Sequence, residues 1–417
     1  METYYDVVII GGGPAGIAAG VKSTKLGLKT IVVENRDILG GIPLQCVHPG
    51  FGIHYFKEDL TGPEFISRFI DELEKSNTEY MLNSYVYSIK YRDMNDKIVT
   101  IITPKGVINI HAKAIIYAGG ARERHQFEIG INGNRPDGVY TAGEAQTLMD
   151  IYGVIPGKEI VIVGSGDVGL IMARRFALEG ARVKAVVEIL PYPGGLMRNV
   201  MQCLVDFNIP LLLSHVVLRV EGKSRVEKVI VARVNESLEP EKDTDFEIPC
   251  DTVVISAGLR PNVDLLVDLG VIIDPVTGGP VVNEYLETSI PGIFVAGNAL
   301  LINDLVDYAV EQGELAALGA KLFIEQHGIP TKRFKRIVPG KNIRFVVPHF
   351  VSGEQGVVLY SRVVKPMKKV YISIPEIRYR LFSYGVRPAE MIRLRLRKED
   401  FSKLPNEAKF MTLEVSS

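Results

Sequence analysis

The chain has little cysteine and no cysteine pair. Cys46, Cys203 and Cys250 are the only three in 417 residues, and no C-x-x-C or C-x-x-x-x-C spacing occurs. That excludes a redox dithiol and an iron–sulfur cluster ligated by this chain, since a cluster needs about four thiolates. Net charge is equally scarce, at -1, and leaves no electrostatic footprint for nucleic acid. The uncharged stretch Val7 to Val21 is too rich in glycine to read as a membrane span. METYYD at the start is acidic where a secretory signal is basic and apolar, so a cytoplasmic location is expected.

Glycine, by contrast, is plentiful, and its placement is informative. Gly11-Gly12-Gly13-Pro14-Ala15-Gly16 follows Val7 to Ile10, and Gly164-Ser165-Gly166-Asp167-Val168-Gly169 follows Ile160 to Val163. In each copy the first Gly permits a tight turn off a buried strand, the second lets backbone approach a pyrophosphate, and the third lets a helix pack close. The helix N-terminus then offers free N–H groups and partial positive charge to phosphate. Each helical stretch stops at a Gly, Gly27 or Gly180, before a Val-rich strand that ends in an acid, Glu34 or Glu188. A carboxylate there can accept hydrogen bonds from adenosine ribose hydroxyls. At Glu188 it also disfavours a 2'-phosphate, so NAD is expected over NADP. Glu188 lies one residue further from its Gly than Glu34 does, and Arg182 and Lys184 are near, so its aim is left open.

With these residues the chain resembles the two-dinucleotide-binding flavoproteins related to glutathione and thioredoxin reductases, over residues 5 to 330. Supporting segments are HAKAIIYAGGARER with Ala118-Gly119-Gly120, CDTVVISAGLRPN with Gly258, TSIPGIFVAGNAL with Gly297, and Gly40-Gly41 beyond Glu34. The resemblance implies FAD at Gly11, Gly13, Pro14, Ala15, Gly16, Glu34, Asn35, Gly40 and Gly41, with Val86 offering backbone to the adenine. It implies NAD at Gly164, Gly166, Asp167, Val168, Gly169 and Glu188. The chain departs from the family at Asn298, where an Asp usually follows the late Gly; an amide can still bond a ribityl hydroxyl. The closer likeness is to the subgroup of dye-linked L-proline dehydrogenase, opine oxidase and hydrogen cyanide synthase subunits. It is carried by LQCVHPGFGIHYFKEDLTGPEFISRFI and PYPGGLMRNVMQCLVDFNIPLLLSH.

The activity implied is hydride transfer between NAD(H) and flavin, in the NAD(H)-facing subunit of an amino-acid, amine or glycerol-3-phosphate dehydrogenase complex. A second flavoprotein or electron carrier would be the partner, and a homo-oligomer is also compatible. Two other readings stay open. Cys46 lies about where single-cysteine NADH oxidases and peroxidases keep a thiol beside the flavin, and a thiolate there could cycle through sulfenic acid. Alternatively the chain binds FAD as a structural subunit without reacting with NADH. Cys203 reads as helix core and Cys250 as the entry to a buried strand.

The fold expected is α/β: two doubly wound Rossmann-like domains and a small C-terminal antiparallel β-rich domain. Motif order and resemblance assign residues 1–140 and 266–330 to the flavin domain, 141–265 to an inserted nicotinamide domain, and 331–417 to the third. Antiparallel meanders are expected over Ile89 to Ile110 and Val216 to Ile248. A long helix is expected from Asn303, with Asn303 or Asp304 as its cap. Residues 331–417 hold 19 Lys or Arg against 7 Asp or Glu, while the rest of the chain holds 29 against 42. The alternation Met391-Ile392-Arg393-Leu394-Arg395-Leu396-Arg397 predicts a strand with one apolar and one basic face. That basic face would pack on the chain's own acidic surface or stay solvated, or else receive an acidic partner subunit; nucleic acid is a distant third reading, since aromatic interleaving on the face is sparse.

Overall fold

The computed structural model describes residues 3–329, 334–405 and 408–417. The chain divides into two compact units, one of Met1–Ala121 with Pro261–Ser417 and one of Arg122–Arg260. The inserted unit therefore begins nearer residue 122 than 141. The expected boundary between 330 and 331 lies outside the described residues.

In the first unit Thr3–Ile10 pairs in parallel with Thr30–Val33 and with Gly106–Tyr117. Thr30–Val33 pairs onward with Glu79–Met81, and Gly106–Tyr117 with Ile293–Val295, both in parallel. Val7, Val8, Ile9 and Val32 have no exposed surface. Burial on both faces is why these strands read as unbroken apolar runs. An antiparallel meander, Tyr85–Asp93, Asp96–Thr103 and Gly106–Tyr117, extends the sheet beyond the limits expected for it. Its last strand is long because it serves twice. Its first half pairs with the meander, and Ile115 to Tyr117 pair with Ile293–Val295.

The helix Pro14–Lys25 starts where Gly13 is extended and Pro14 presets φ, and no side chain caps it. The helix Val306–Gln326 crosses it closely, because a Cβ on Gly313 would stand 2.1 Å from the Ala15 carbonyl oxygen. Its N-cap is Leu305, without a side-chain cap, which overturns the expectation for Asn303 or Asp304. Both are engaged elsewhere: Asn303 bonds Asn298 and Gln312, and Asp304 accepts from Met391 N and pairs with Arg362.

The Arg122–Arg260 unit holds a five-stranded parallel sheet in the order Val139–Thr141, Thr252–Ile255, Glu159–Val163, Arg182–Glu188, Leu211–Leu213. His215–Gly222, Val226–Arg233 and Phe246–Pro249 form the second antiparallel meander.

The C-terminal segment builds two sheets over its own core, which includes Ile337, Val370, Ile372, Leu394, Met411 and Leu413. Among the described residues its strand pairing is antiparallel with one exception. Lys335–Pro339 lies parallel to Phe410–Ser416, which the long intervening chain permits. Leu394 and Leu396 point inward as the alternation requires. Arg393 and Arg362 do not remain solvated, since Arg393 pairs with Glu311 on the helix Val306–Gln326 and Arg362 with Asp304 just before it. His349 and Ser352 also bond back, to Asp274 at 3.4 Å and Glu284 at 2.8 Å. Part of the basic face is thus satisfied by the chain's own acids. Among the described residues no helix is long and apolar enough to cross a membrane.

Candidate cofactor-binding sites

The two Gly turns can be compared atom by atom. Gly11 has φ +106, and a Cβ there would lie 2.4 Å from Ala118 O; one on Gly16 would lie 1.8 Å from Gly11 O. Gly164 and Gly169 repeat this, with 2.2 Å to Ser256 O and 2.6 Å to Gly164 O. Gly13 and Gly166 differ from these. Nothing lies within 4 Å of a Cβ at either, so open space adjoins both uncapped helix N-termini. These are cradles a side chain would fill, and they fit a pyrophosphate.

The acids stand at matching positions. Glu34 Oε2 accepts from Gly12 N at 2.6 Å and Oε1 from Arg36 N at 2.8 Å. Glu188 Oε2 accepts from Ser165 N at 2.9 Å and Oε1 from Leu190 N at 2.9 Å. The extra residue before Glu188 is absorbed by a bulge, because the register passes from Ile160↔Val183 to Val161↔Ala185 and skips Lys184. Val163 then faces Val187 as Ile10 faces Val33. The bulge thus returns Glu188 to the register that Glu34 holds in the first turn.

Around the first turn the sequence candidates converge. Gly40 N donates to Gly12 O at 2.8 Å, and a Cβ on Gly41 would lie 3.1 Å from Gly13 Cα. Ala118 N donates to Ile10 O, and Asn262 N and Nδ2 hold the carbonyls of Gly120 and Gly119. Ser84 N bonds Glu34 O, which brings the chain leading to Val86 beside the acid; Asn35 next to it is exposed. Gly297, at φ +70, would put a Cβ 2.9 Å from Ala15 Cβ, so the late motif meets the first turn. Asn298 turns its side-chain oxygen to Asn303 N at 3.0 Å.

Around the second turn Asp167 accepts from Leu196 N at 2.8 Å and Asn199 Nδ2 at 2.7 Å. Val168 is exposed on the helix flank, and Gly258 is open with φ +92.

Several residues were not singled out from sequence. Gln312, buried, accepts from Gly297 N at 3.0 Å. Asp307, buried, accepts from the N–H groups of His54 and Tyr55 at 3.0 and 2.7 Å, tying their loop to the long helix. Ser165 Oγ donates to Glu188 Oε2 at 2.5 Å and accepts from Gly194 N at 2.8 Å. One signal was available: Gly194-Gly195 follows Glu188 at the same offset as Gly40-Gly41 follows Glu34.

Burial pushes the Cys203 thiol up to about 11 and the Cys250 thiol up to about 12, which makes both poor nucleophiles. Cys46 is buried behind Ile42–Gln45, its Sγ donating to Ile42 O at 3.4 Å and its carbonyl accepting from Gly62 N.

Residues 5–313 match the pyridine nucleotide-disulphide oxidoreductase family. The chain belongs to this family. It is accordingly an FAD-dependent NAD(P)H oxidoreductase. Three curated relatives illustrate the range. A mitochondrial dihydrolipoyl dehydrogenase of Caenorhabditis elegans is 29% identical over 78% of this chain and 70% of its own length. An NAD(P)H sulfur oxidoreductase (CoA-dependent) of Pyrococcus abyssi is 29% identical over 70% of this chain, which spans only 62% of that protein. A glutamate synthase [NADPH] small chain of Mycobacterium tuberculosis is 26% identical over 77% of this chain and 67% of its own length. Among solved structures, thioredoxin reductase of T. acidophilum superposes with TM-score 0.64 at 25% identity, covering 78% of this chain and all of that one. L-proline dehydrogenase of P. horikoshii gives 0.52 at 22% identity, over 78% of this chain and 56% of that one. It shares the fold, and the narrower subgroup likeness gains no further support.

Proposed function

We propose that this flavoprotein exchanges a hydride between NAD(H) and FAD and passes the electrons to or from a separate partner subunit. The observation that carries the reading is the register of Glu188, which sets a carboxylate at the second turn as Glu34 stands at the first and supports NAD there. When bound, FAD would supply a hydride-accepting flavin N5 and NADH the hydride at its nicotinamide C4. The chain's own residues bind and orient. Gly13 with the N–H groups of Ala15 and Gly16 would hold the FAD pyrophosphate, Glu34 the adenosine ribose, and Gly297 with Asn298 the ribityl chain. Gly166 with the following helix N–H groups would hold the NAD pyrophosphate, and Glu188 its ribose. No side chain is required as acid or base, so positioning and electrostatics account for the protein's share.

The electrons need an outlet other than a thiol pair. Cys203 and Cys250 are buried with raised pKa values, and Cys46 has no neighbouring Cys in sequence. A partner subunit supplies that outlet, and one relative is itself named as a small chain, that of glutamate synthase. Anaerobic titration with NADH tests the hydride step, and a flavin band that never bleaches overturns it. Affinity purification from the native cell tests the partner, and a lone homodimer with high NADH oxidase turnover overturns that part.

A second reading is favoured by one feature, the single Cys46 near the first cofactor turn. In it Cys46 cycles as a redox thiol with oxygen, peroxide or a sulfur substrate. Unchanged NADH consumption in Cys46→Ser with each acceptor would exclude it.

A further inference from the structure

The C-terminal domain has a second face that its own body does not use. Tyr379–Val386 is the last strand of the five-stranded sheet, paired on one side with Met367–Ile374. Among the described residues no strand pairs its other side. Backbone along such an edge is a template for another chain, and here only Gly385 is engaged locally, its carbonyl accepting from Ser383 Oγ at 2.8 Å and its N–H donating to that oxygen at 3.4 Å, among the described bonds. Its side chains are unusual for an unguarded edge: Leu381 and Phe382 are each 44% exposed and Tyr384 is 84% exposed.

These side chains are already organised. Tyr371, directly opposite Phe382, lies 5.5 Å from it between ring centroids, and Phe382 lies 5.2 Å from Tyr384. The Arg380 guanidinium sits 3.6 Å from the Tyr371 ring centroid. Ordered Tyr, Phe and Arg on one face of a strand is the composition enriched in protein interfaces. The surroundings are basic, with Arg378, Arg380 and Lys368 on or beside the strand, while Arg387 lies 3.8 Å from Glu390. The neighbouring Glu376 is taken up by Thr412 N and Oγ1 at 3.0 and 2.9 Å.

We infer that this edge docks an extended, acidic segment of a different protein, which adds a strand beside Tyr379–Val386 and covers Leu381, Phe382 and Tyr384. Charge chooses the occupant. A second copy paired edge to edge would gather Arg378 and Arg380 of both copies along one short seam, a like-charge crowding that is unfavourable. An acidic strand finds complementary charge and an apolar seat together. The inference rests on the partner-subunit reading above and names where that partner holds on.

A fluorescein-labelled ten-residue peptide alternating Glu with Val is the probe, titrated into the full-length flavoprotein. Saturable binding is expected, weakened roughly ten-fold or more between low and high salt and absent for a Lys/Val counterpart. Amide exchange over residues 379–386 should slow on binding, a readout that needs no variant. Phe382→Ser/Tyr384→Ser should weaken binding about ten-fold or more while NADH still bleaches the flavin. Failure of that bleaching in the wild type condemns the hydride reading and leaves the docking result to stand on its own. No peptide binding, binding unaffected by the double variant, or protection elsewhere overturns the inference. So do sedimentation as a dimer that the variant dissolves, and tighter binding of a labelled single-stranded RNA at the same strand.

Discussion

The two dinucleotide turns reach one geometry by different means. In the first, Gly12 puts nothing but backbone against Glu34, and the strands run in unbroken register. In the second, Ser165 adds a hydroxyl to the acid, a bulge absorbs Lys184, and the segment from Leu190 to Asn199 is tied down by Ser165 and Asp167. The lesson is that the position of the acid is set by strand pairing rather than by residue count. The second copy is held by side chains where the first relies on close backbone contact, so they should tolerate substitution differently.

The largest effect expected is at the tightest contact. Gly16→Val has no space beside Gly11 O and should cost roughly 4 kcal/mol or more, seen as lost flavin and a strongly lowered urea midpoint. Gly13→Val and Gly166→Val separate fold from ligand, because nothing is near either Cβ. Gly13→Val should fold without retaining FAD. Gly166→Val should keep FAD while its KM for NADH rises by about ten-fold or more; similar outcomes for both would break the assignment of one cofactor to each turn.

Smaller effects sharpen the contrast. Glu188→Gln should raise KM for NADH about ten-fold with flavin content unchanged, since a bond to a charged group contributes roughly 1.5–3 kcal/mol. Ser165→Ala should raise it only about five-fold, as Gly194 N loses its acceptor. An effect on flavin retention in either would overturn the division of roles.

The smallest effect is in acid and probes the C-terminal domain's attachment. Burial opposes charge on Asp274, yet bonds from His349, Val276 N and Thr277 hold its carboxyl down to about 2. A depressed acid stabilises above its unfolded pKa and loses that contribution as pH falls from about 4 through about 2. Asp274→Asn should be less stable than wild type by about 2 kcal/mol or less at pH 6, with the gap closing by pH 2 in urea titrations. A constant gap would remove the charge from the explanation.

Much of this was legible in the sequence because it is local. Gly11 to Gly16 and Gly164 to Gly169 each encode a strand, a turn and a helix within one short window, and Glu34 and Glu188 mark the next strand ends. The alternating Met391 to Arg397 run announced its inward leucines. What pairs distant segments was not legible. Asn303 and Asp304 look like caps until Gln312 and Arg362 arrive to take them. The parallel pairing of Lys335–Pro339 with Phe410–Ser416 joins segments that share no local signal.

By itself, then, the sequence determined the chemistry on offer: two glycine cradles, two acids, no dithiol, and a basic third domain. Only the tertiary structure decided that a bulge returns Glu188 to the place of Glu34, that Arg362 and Arg393 are spent on Asp304 and Glu311, and that Phe382 and Tyr384 stay uncovered. Turns and periodicities are written in neighbouring residues, whereas register, ion pairing and exposure depend on which distant surfaces meet.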